Sequence, residues 1–187
     1  MENKNVDIVK KYYDKLCIIC DQLDENNLWD RPDAEAFRLR NIFRHDVGEY
    51  MMFLSSSDSA ITFEEADLYG IVTGYDNDRD KMNEYIKSHA LYSCRFKTEV
   101  PLSICLIDEC EDKAVENGIH IDLKVNKSFT ELFVDFFALL SKVLAGVDGE
   151  VAMPEKRDSA GYIAMLREYV ANNNNPIEYY FKLVENL

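Results

Sequence analysis

The feature that most constrains the fold is one strongly apolar segment with helical spacing, which runs from residue 129 to residue 147. Its apolar side chains recur every three or four positions and cover well over a third of a helix circumference: Phe129, Leu132, Phe133, Phe136, Phe137, Leu140, Val143, Leu144 and Val147. In front of it, Ser128 and Glu131 have the spacing of a capping box. A helix with so wide an apolar face must be surrounded by other elements, so we expect it at the centre of a core.

The rest of the chain also has helical patterning. Only seven glycines and four prolines punctuate the 187 residues, which favours long helices over many short strands. In the second helix, Asp33 is interpreted as the N-cap and Phe37 as the first apolar residue of the buried face. Residues 119–125 alternate instead, which predicts a short strand without an evident partner. Predicted helices cover about 4–24, 33–57, 63–72, 78–92, 101–117, 128–147, 153–171 and 176–187.

These patterns predict an all-α fold, a compact single-domain bundle of about seven or eight helices. The net charge of −14 disfavours nucleic acids and anionic membrane surfaces, because both repel an acidic protein. Cations and proteins with a basic surface are the expected partners, although many acidic proteins are simply soluble. Five cysteines and no apolar leader sequence predict a cytoplasmic protein without a disulfide framework. The sequence does not indicate an oligomeric state.

Two segments match each other at one constant offset, and each lies between two predicted helices. They are Leu54–Glu65 and Leu144–Glu155, which we call the first and second acidic turns. Leu, Asp and Glu are shared at matching positions, and Ile61 corresponds to Val151. The shared context favours common ancestry or function over coincidence. We therefore predict an internal duplication of a helix–acidic turn–helix unit.

The acidic turns have the residue types of a cation site. Asp58 and Asp148 fall at the end of a helix, where the dipole and the unpaired carbonyl oxygens are negative. A carboxylate there costs up to about 1 kcal/mol unless a positive charge lies beside it. Glu65 and Glu155 follow one turn into the next helix. Ligands that are all oxygen suit Ca²⁺ or Mg²⁺, so the turns predict a site for one of these ions.

Helix capping is the competing interpretation of the same residues. Thr62 and Glu65 have capping-box spacing, so Glu65 would only satisfy the backbone N–H of Thr62. Asp148 and Gly149 would then form an ordinary turn. Capping explains Glu155 less well, because the second copy has Ala152 in place of the cap hydroxyl. The sequence leaves both interpretations open.

The second acidic turn also resembles a known family signature. An apolar helix, then Asp148-Gly149-Glu150-Val151, three residues and Glu155, is similar to the pattern of the TerB-like (tellurite resistance protein B) family. The resemblance covers about residues 34–171 and departs at Ser59, which replaces the family's usual glycine. It implies a duplicated all-helical fold with an acidic metal-binding face and a role in stress response, without enzymatic activity. It assigns to that face Asp58, Glu65, Asp148, Gly149, Glu150 and Glu155.

On this resemblance, residues 34–175 form a TerB-like domain. Residues 1–33 add an N-terminal helix with a connector, and residues 176–187 add a C-terminal helix packed on the same domain. The expected function is non-enzymatic binding of a divalent cation, a protein partner or both. One alternative is an acidic adaptor or an immunity- or inhibitor-type protein that binds a basic partner without metal. A second alternative is a helical carboxylate metal hydrolase.

Two further motifs argue little for catalysis. The dipeptide His45-Asp46 is found in metal-dependent phosphohydrolases, but those enzymes need an earlier histidine, and none precedes His45. Cys17 and Cys20 have the spacing of a zinc or redox motif. They lie on the apolar face of the first predicted helix, with no second cysteine pair to complete a tetrahedral site. We therefore predict no catalytic metal centre and interpret the cysteines as buried structural thiols.

Overall fold

The chain folds into helices throughout the part that the structure describes. The structure is a computed structural model and describes residues 4–55, 62–74, 100–119, 128–144 and 153–172. Within these ranges there are six α-helices, one 3₁₀ turn and no strand. The elements are α1 (Lys4–Glu25), the 3₁₀ turn (Glu35–Phe37), α2 (Leu39–Ser55), α3 (Phe63–Thr73), α4 (Leu102–Glu116), α5 (Phe129–Leu144) and α6 (Met153–Asn172). The all-α prediction is confirmed; its helices over 78–92 and 176–187 lie outside the described residues.

The core is built around α5, as its apolar face predicts. Phe133, Phe136 and Phe137 are fully buried. Phe43 of α2 packs edge-on against Phe133, with ring centroids 4.7 Å apart, and stacks on Tyr13 of α1 at 5.2 Å. Offset and edge-to-face ring pairs of this kind add about 0.5–1.5 kcal/mol beyond the area they bury. Three helices are thus joined through one aromatic cluster.

The predicted duplication divides the six helices into two sets of three, α1–α3 and α4–α6. The acidic turns match at one offset, and at that same offset α3 begins at Phe63 and α6 at Met153. The contacts match as well: α1 packs on α2 and on α5, whereas α4 packs on α5 and on α2. Phe43 and Phe133, which contact each other at the centre, occupy equivalent positions. The third helices differ, however, because α1 packs closely on α3 whereas α4 makes little contact with α6, so the internal duplication stays a prediction.

Carboxylates from neighbouring helices hold the first N–H groups of three helices. Asp24 of α1 accepts hydrogen bonds from the Leu39 backbone N–H and from the Trp29 indole, both at 2.9 Å. Asp46 of α2 accepts from the Ser103 backbone N–H at the start of α4, at 2.7 Å. Such caps satisfy donors that have no partner within the helix, and their charge opposes the positive end of the dipole.

The third of these caps joins α4 to α5. Glu111 of α4 accepts from the backbone N–H of Phe129 at 2.6 Å and from the Thr130 hydroxyl at 3.0 Å. Ser128 and Glu131 form the capping box that the sequence predicts, with bonds of 2.9 and 3.1 Å. The start of the most buried helix is therefore satisfied from two sides.

Two local predictions are wrong. Asp33 is not the N-cap of α2, which begins at Leu39 after a 3₁₀ turn, and the N–H of Leu39 is capped from α1 by Asp24. Phe37 lies in that 3₁₀ turn and is 46% exposed, so it is not part of the buried face of α2. Sequence reading favoured the nearest capping residue along the chain, whereas the fold uses a distant one.

The end of α4 bears on the predicted strand over 119–125. Gly118 has a left-handed backbone, with φ of 66°, and the N–H of Ile119 donates to the Ala114 carbonyl at 2.9 Å. This is the 6→1 bond of a Schellman motif, in which glycine avoids the strain that a side chain would cause. Ile119 therefore closes a helix; residues 120–125 lie outside the described residues.

We expect Asp24→Asn to destabilise the fold, because the amide group presents donors to at least one of the two N–H groups that Asp24 now accepts. An unsatisfied buried donor costs about 1–3 kcal/mol, and we expect a loss of unfolding free energy in that range by urea denaturation. Asp14→Asn is the control, since Asp14 belongs to an exposed pair with Lys10. The control should change stability by less than about 0.5 kcal/mol. Equal losses in both variants would contradict the structural role of Asp24.

Candidate functional site

Most of the predicted turn ligands lie where the structure gives no description. Asp58, Asp148, Gly149 and Glu150 fall outside the described residues. Glu155 lies in the first turn of α6, and its side chain is outside what is described. These residues remain predicted ligands of Ca²⁺ or Mg²⁺.

Glu65 is described, and its carboxylate is engaged by α3 itself. It is only 3% exposed, and Oε2 accepts from the Thr62 backbone N–H at 2.8 Å and from the Thr62 hydroxyl at 3.1 Å. The Thr62 hydroxyl in turn accepts from the Glu65 N–H at 3.2 Å. This is the capping box of the competing interpretation. One carboxylate oxygen of Glu65 is thus committed to the helix start.

A different group of potential ligands lies on the outer side of α2. His45, Asp46 and Glu49, which we call the α2 cluster, each offer one ligand atom, and these atoms lie within 4.8 Å of one another. His45 and Glu49 are one helical turn apart, with Nε2 and Oε1 separated by 3.7 Å. The helix places them on one face, because residues four apart are neighbours on its surface. An imidazole and two carboxylates can bind a divalent cation from this face.

The three side chains differ in their access to solvent. His45 is 69% exposed and Glu49 24%, whereas Asp46 is only 6% exposed. Asp46 faces the start of α4, where Oδ2 accepts from the Ser103 N–H. The α2 cluster therefore extends from the surface of α2 into its contact with α4.

Burial destabilises the charged form of the Asp46 carboxylate. Burial raises its pKa to about 6, and the charge of Glu49 adds to this, while the neighbouring Ser103 groups and His45 oppose it. The Ser103 hydroxyl beside it is fully buried and has no partner with normal hydrogen-bond geometry. A buried carboxylate and a buried unpaired hydroxyl at one point are unusual, because such groups normally find partners.

The predicted duplication would make position 46 equivalent to an apolar position of the second set. The equivalent residue of the second set is Phe136, which is fully buried in the core. His45 and Glu49 correspond to Asp135 and Leu139. The second set therefore does not repeat the α2 cluster, and its polar side chains are specific to the first.

Sequence reasoning named His45 and Asp46 but missed the cluster. The catalytic motif that contains His45-Asp46 needs an earlier histidine, so the pair was discounted. The spacing of His45 with Glu49 was not considered. The pattern His-Asp-x-x-Glu on one helix was the available signal, since it places Glu49 one helical turn from both His45 and Asp46. No sequence pattern predicts the burial of Asp46 against Ser103, because 57 residues separate the two.

A shallow groove lies elsewhere, between α5 and α6. It has a volume of about 190 Å³ and is lined by Glu131, Val134, Asp135, Arg167, Val170 and Ala171. Arg167 and Asp135 form an ion pair across it, at 3.6 Å. No residue of the α2 cluster lines this groove.

Comparison with protein-family models, with curated proteins and with solved structures found no match. The resemblance to the TerB-like family therefore stays a prediction that rests on the two acidic turns. Among the described helices, none combines the length and apolar character that are needed to cross a bilayer.

We expect Asp46→Asn to stabilise the protein at pH 7.5 and to have a smaller effect at pH 5. The amide still accepts from the Ser103 N–H and removes a buried charge. Because the folded pKa lies above the ordinary value of 3.8, the favourable contribution of Asp46 is complete below pH 3.8 and is lost as pH rises through about 6. The gain at pH 7.5 is on the order of 2 kcal/mol.

Urea denaturation of both proteins at pH 5 and pH 7.5 measures this difference. Asp14→Asn serves as the control for removing one carboxylate from a helix surface. An equal loss of stability at both pH values would mean that Asp46 acts only as a charged cap for α4.

Proposed function

We propose that this protein is a non-enzymatic binding protein for a divalent cation, which it holds at the α2 cluster. The observation that carries the proposal is the convergence of His45, Asp46 and Glu49 within 4.8 Å on one helix. The net charge of −14 supports it, because an acidic protein attracts cations to its surface.

The state of Asp46 supports the same proposal. A carboxylate whose charge is desolvated gains more from a bound cation than one in water, since the cation replaces the lost solvation. Natural proteins retain such destabilising groups mostly at functional sites. Here the cost falls beside two further ligands, His45 and Glu49. A bound cation would also reduce the electrostatic repulsion between the carboxylates of Asp46 and Glu49.

Binding rather than catalysis fits the shape of the site. The α2 cluster lies on the side of a helix, with His45 largely exposed. The groove between α5 and α6 does not include any of its residues, so the groove offers no substrate cavity beside the ligands. A catalytic cation needs a substrate held next to it. The proposed function is therefore to bind the ion, within a TerB-like role in stress response as the acidic turns suggest.

Thermal unfolding with added cations tests the proposal. A ligand that binds only the folded state raises its stability by about 2.7 kcal/mol at a hundred times Kd. We expect at least one of Mg²⁺, Ca²⁺, Mn²⁺ or Zn²⁺ to raise the Tm of the full chain, and Glu49→Gln to reduce that shift. Asp14→Asn removes a carboxylate from another exposed pair of the same spacing and should leave the shift unchanged.

The same titration separates the α2 cluster from the acidic turns. An Asp148→Asn/Glu155→Gln variant removes the predicted ligands of the second turn. If this variant loses the shift and Glu49→Gln keeps it, the ion binds at the turns and the α2 cluster is not the site. If no cation raises the Tm of the unmodified protein at millimolar concentration, cation binding is wrong at both places.

A second candidate function is binding of a protein with a basic surface. It is favoured by the outer face of α4, where Glu109, Asp112 and Glu116 are exposed around Val115, which is 77% exposed. An exposed apolar side chain among acids is a suitable contact for a basic protein surface. Such an association would weaken with salt and would not respond to a chelator.

A charge-reversed variant, Asp112→Lys/Glu116→Lys, tests this candidate. We expect it to abolish salt-sensitive capture of basic proteins from a lysate, whereas Glu64→Lys on α3 should not. Equal capture by the two variants would exclude α4 as the binding face.

A further inference from the structure

Within the proposed cation binding, on which this inference rests, the ligand types of the α2 cluster restrict the ion. One of its three ligand atoms is an imidazole nitrogen and two are carboxylate oxygens. Ca²⁺ and Mg²⁺ are bound in proteins almost entirely by oxygen, and Mg²⁺ also keeps several of its waters. First-row transition metals accept imidazole readily, and their affinity for a given nitrogen and oxygen site rises from Mn²⁺ towards Cu²⁺.

A fourth polar group reaches the site from another helix. Ser103 lies in the first turn of α4. Its backbone N–H fixes one oxygen of Asp46, and its hydroxyl is fully buried beside that carboxylate without a hydrogen bond of normal geometry. A buried hydroxyl without a well-formed hydrogen bond raises the free energy of the folded state. We therefore expect it to form a hydrogen bond when an ion occupies the site. An ion bound at Asp46 brings its own water molecules, which can donate to or accept from this hydroxyl.

We propose that the α2 cluster binds a first-row transition-metal dication through His45, Asp46 and Glu49, and that Ser103 completes the site by hydrogen bonding to a water on the ion. The ion then links α2 to the start of α4. This assignment differs from the Ca²⁺ or Mg²⁺ that the acidic turns predict, because those turns offer oxygen alone.

A hydrogen bond between α2 and α4 already positions one ligand of the proposed ion. The bond from the Ser103 N–H to Asp46 joins α2 to α4, and it orients the carboxylate before any ion is bound. Groups that orient a ligand in this way raise metal affinity, and their removal costs about 10–100-fold. Ser103 is therefore a positioning residue with two roles, one through its backbone and one through its hydroxyl.

Co²⁺ is the probe of choice, because its visible spectrum reports its ligands. The full chain, freed of metal with a chelator, is titrated with Co²⁺ at pH 7.5, and Ca²⁺, Mg²⁺ and Zn²⁺ are then added as competitors. We expect weak visible bands from nitrogen and oxygen ligands, displacement by Zn²⁺, and none by millimolar Ca²⁺ or Mg²⁺. An intense thiolate charge-transfer band would place the ion on cysteines and overturn the proposal.

Variants locate the ion. His45→Asn and Glu49→Gln should each weaken Co²⁺ binding about tenfold or more, because each removes a ligand. Asp14→Asn should leave it unchanged, since its pair with Lys10 has the same spacing but is no part of the site. Equal affinity in His45→Asn would overturn the assignment of the imidazole as a ligand.

Ser103→Ala separates a role in binding from a role in folding. It keeps the backbone N–H that donates to Asp46 and removes only a hydroxyl without a hydrogen bond of normal geometry, so the stability of the metal-free protein should change little. Co²⁺ affinity should nevertheless fall severalfold. Unchanged affinity would remove Ser103 from the site.

The competition experiment also distinguishes the two proposals. If Ca²⁺ or Mg²⁺ displaces Co²⁺ as readily as Zn²⁺ does, cation binding stands and the inferred class of ion is wrong. If none of these ions binds by spectrum or by thermal shift, the proposed function fails together with the inference.

Discussion

The interaction on which this structure most depends is the capping of one helix by a carboxylate of another. Asp24, Asp46 and Glu111 form a relay in which α1 caps α2, α2 caps α4 and α4 caps α5. Each bond satisfies a backbone N–H that its own helix leaves without a partner, and each fixes where the next helix begins. Two of the three lie within the two similar sets of helices, and the third, from Asp46, joins the sets.

This relay changes the meaning of the acidic composition. Two carboxylates, the buried Glu65 and the exposed Glu131, each accept the first backbone N–H at the start of their own helix. A carboxylate at a helix start is therefore weak evidence for an ion. Asp46 is the exception among the three capping residues of the relay, because it lies beside His45, Glu49 and a buried Ser103 hydroxyl that makes no hydrogen bond of normal geometry. Capping explains the bond between Asp46 and Ser103. It does not explain why His45 and Glu49 lie beside Asp46, whereas the proposed ion does.

If the predicted duplication is used to align the two sets of helices, this exception lies in only one of them. Where the first set has Asp46, the second has Phe136, and the core closes there with aromatic contacts. At Asp46 the first set has a polar contact between α2 and α4 instead of an apolar one.

The sequence by itself determined the helices and the centre of the core, because amphipathic periodicity and capping boxes are local signals. The helical face of α5 and the buried face of α1, from Val9 to Leu23, are where the pattern predicts them. Tertiary structure alone decided the start of α2 at Leu39, the exposure of Phe37 and the meeting of Asp46 with Ser103. These depend on contacts between residues far apart in the chain, so no spacing within one helix reveals them. The ligands of the α2 cluster were readable as one helical face, but the burial that distinguishes Asp46 was not.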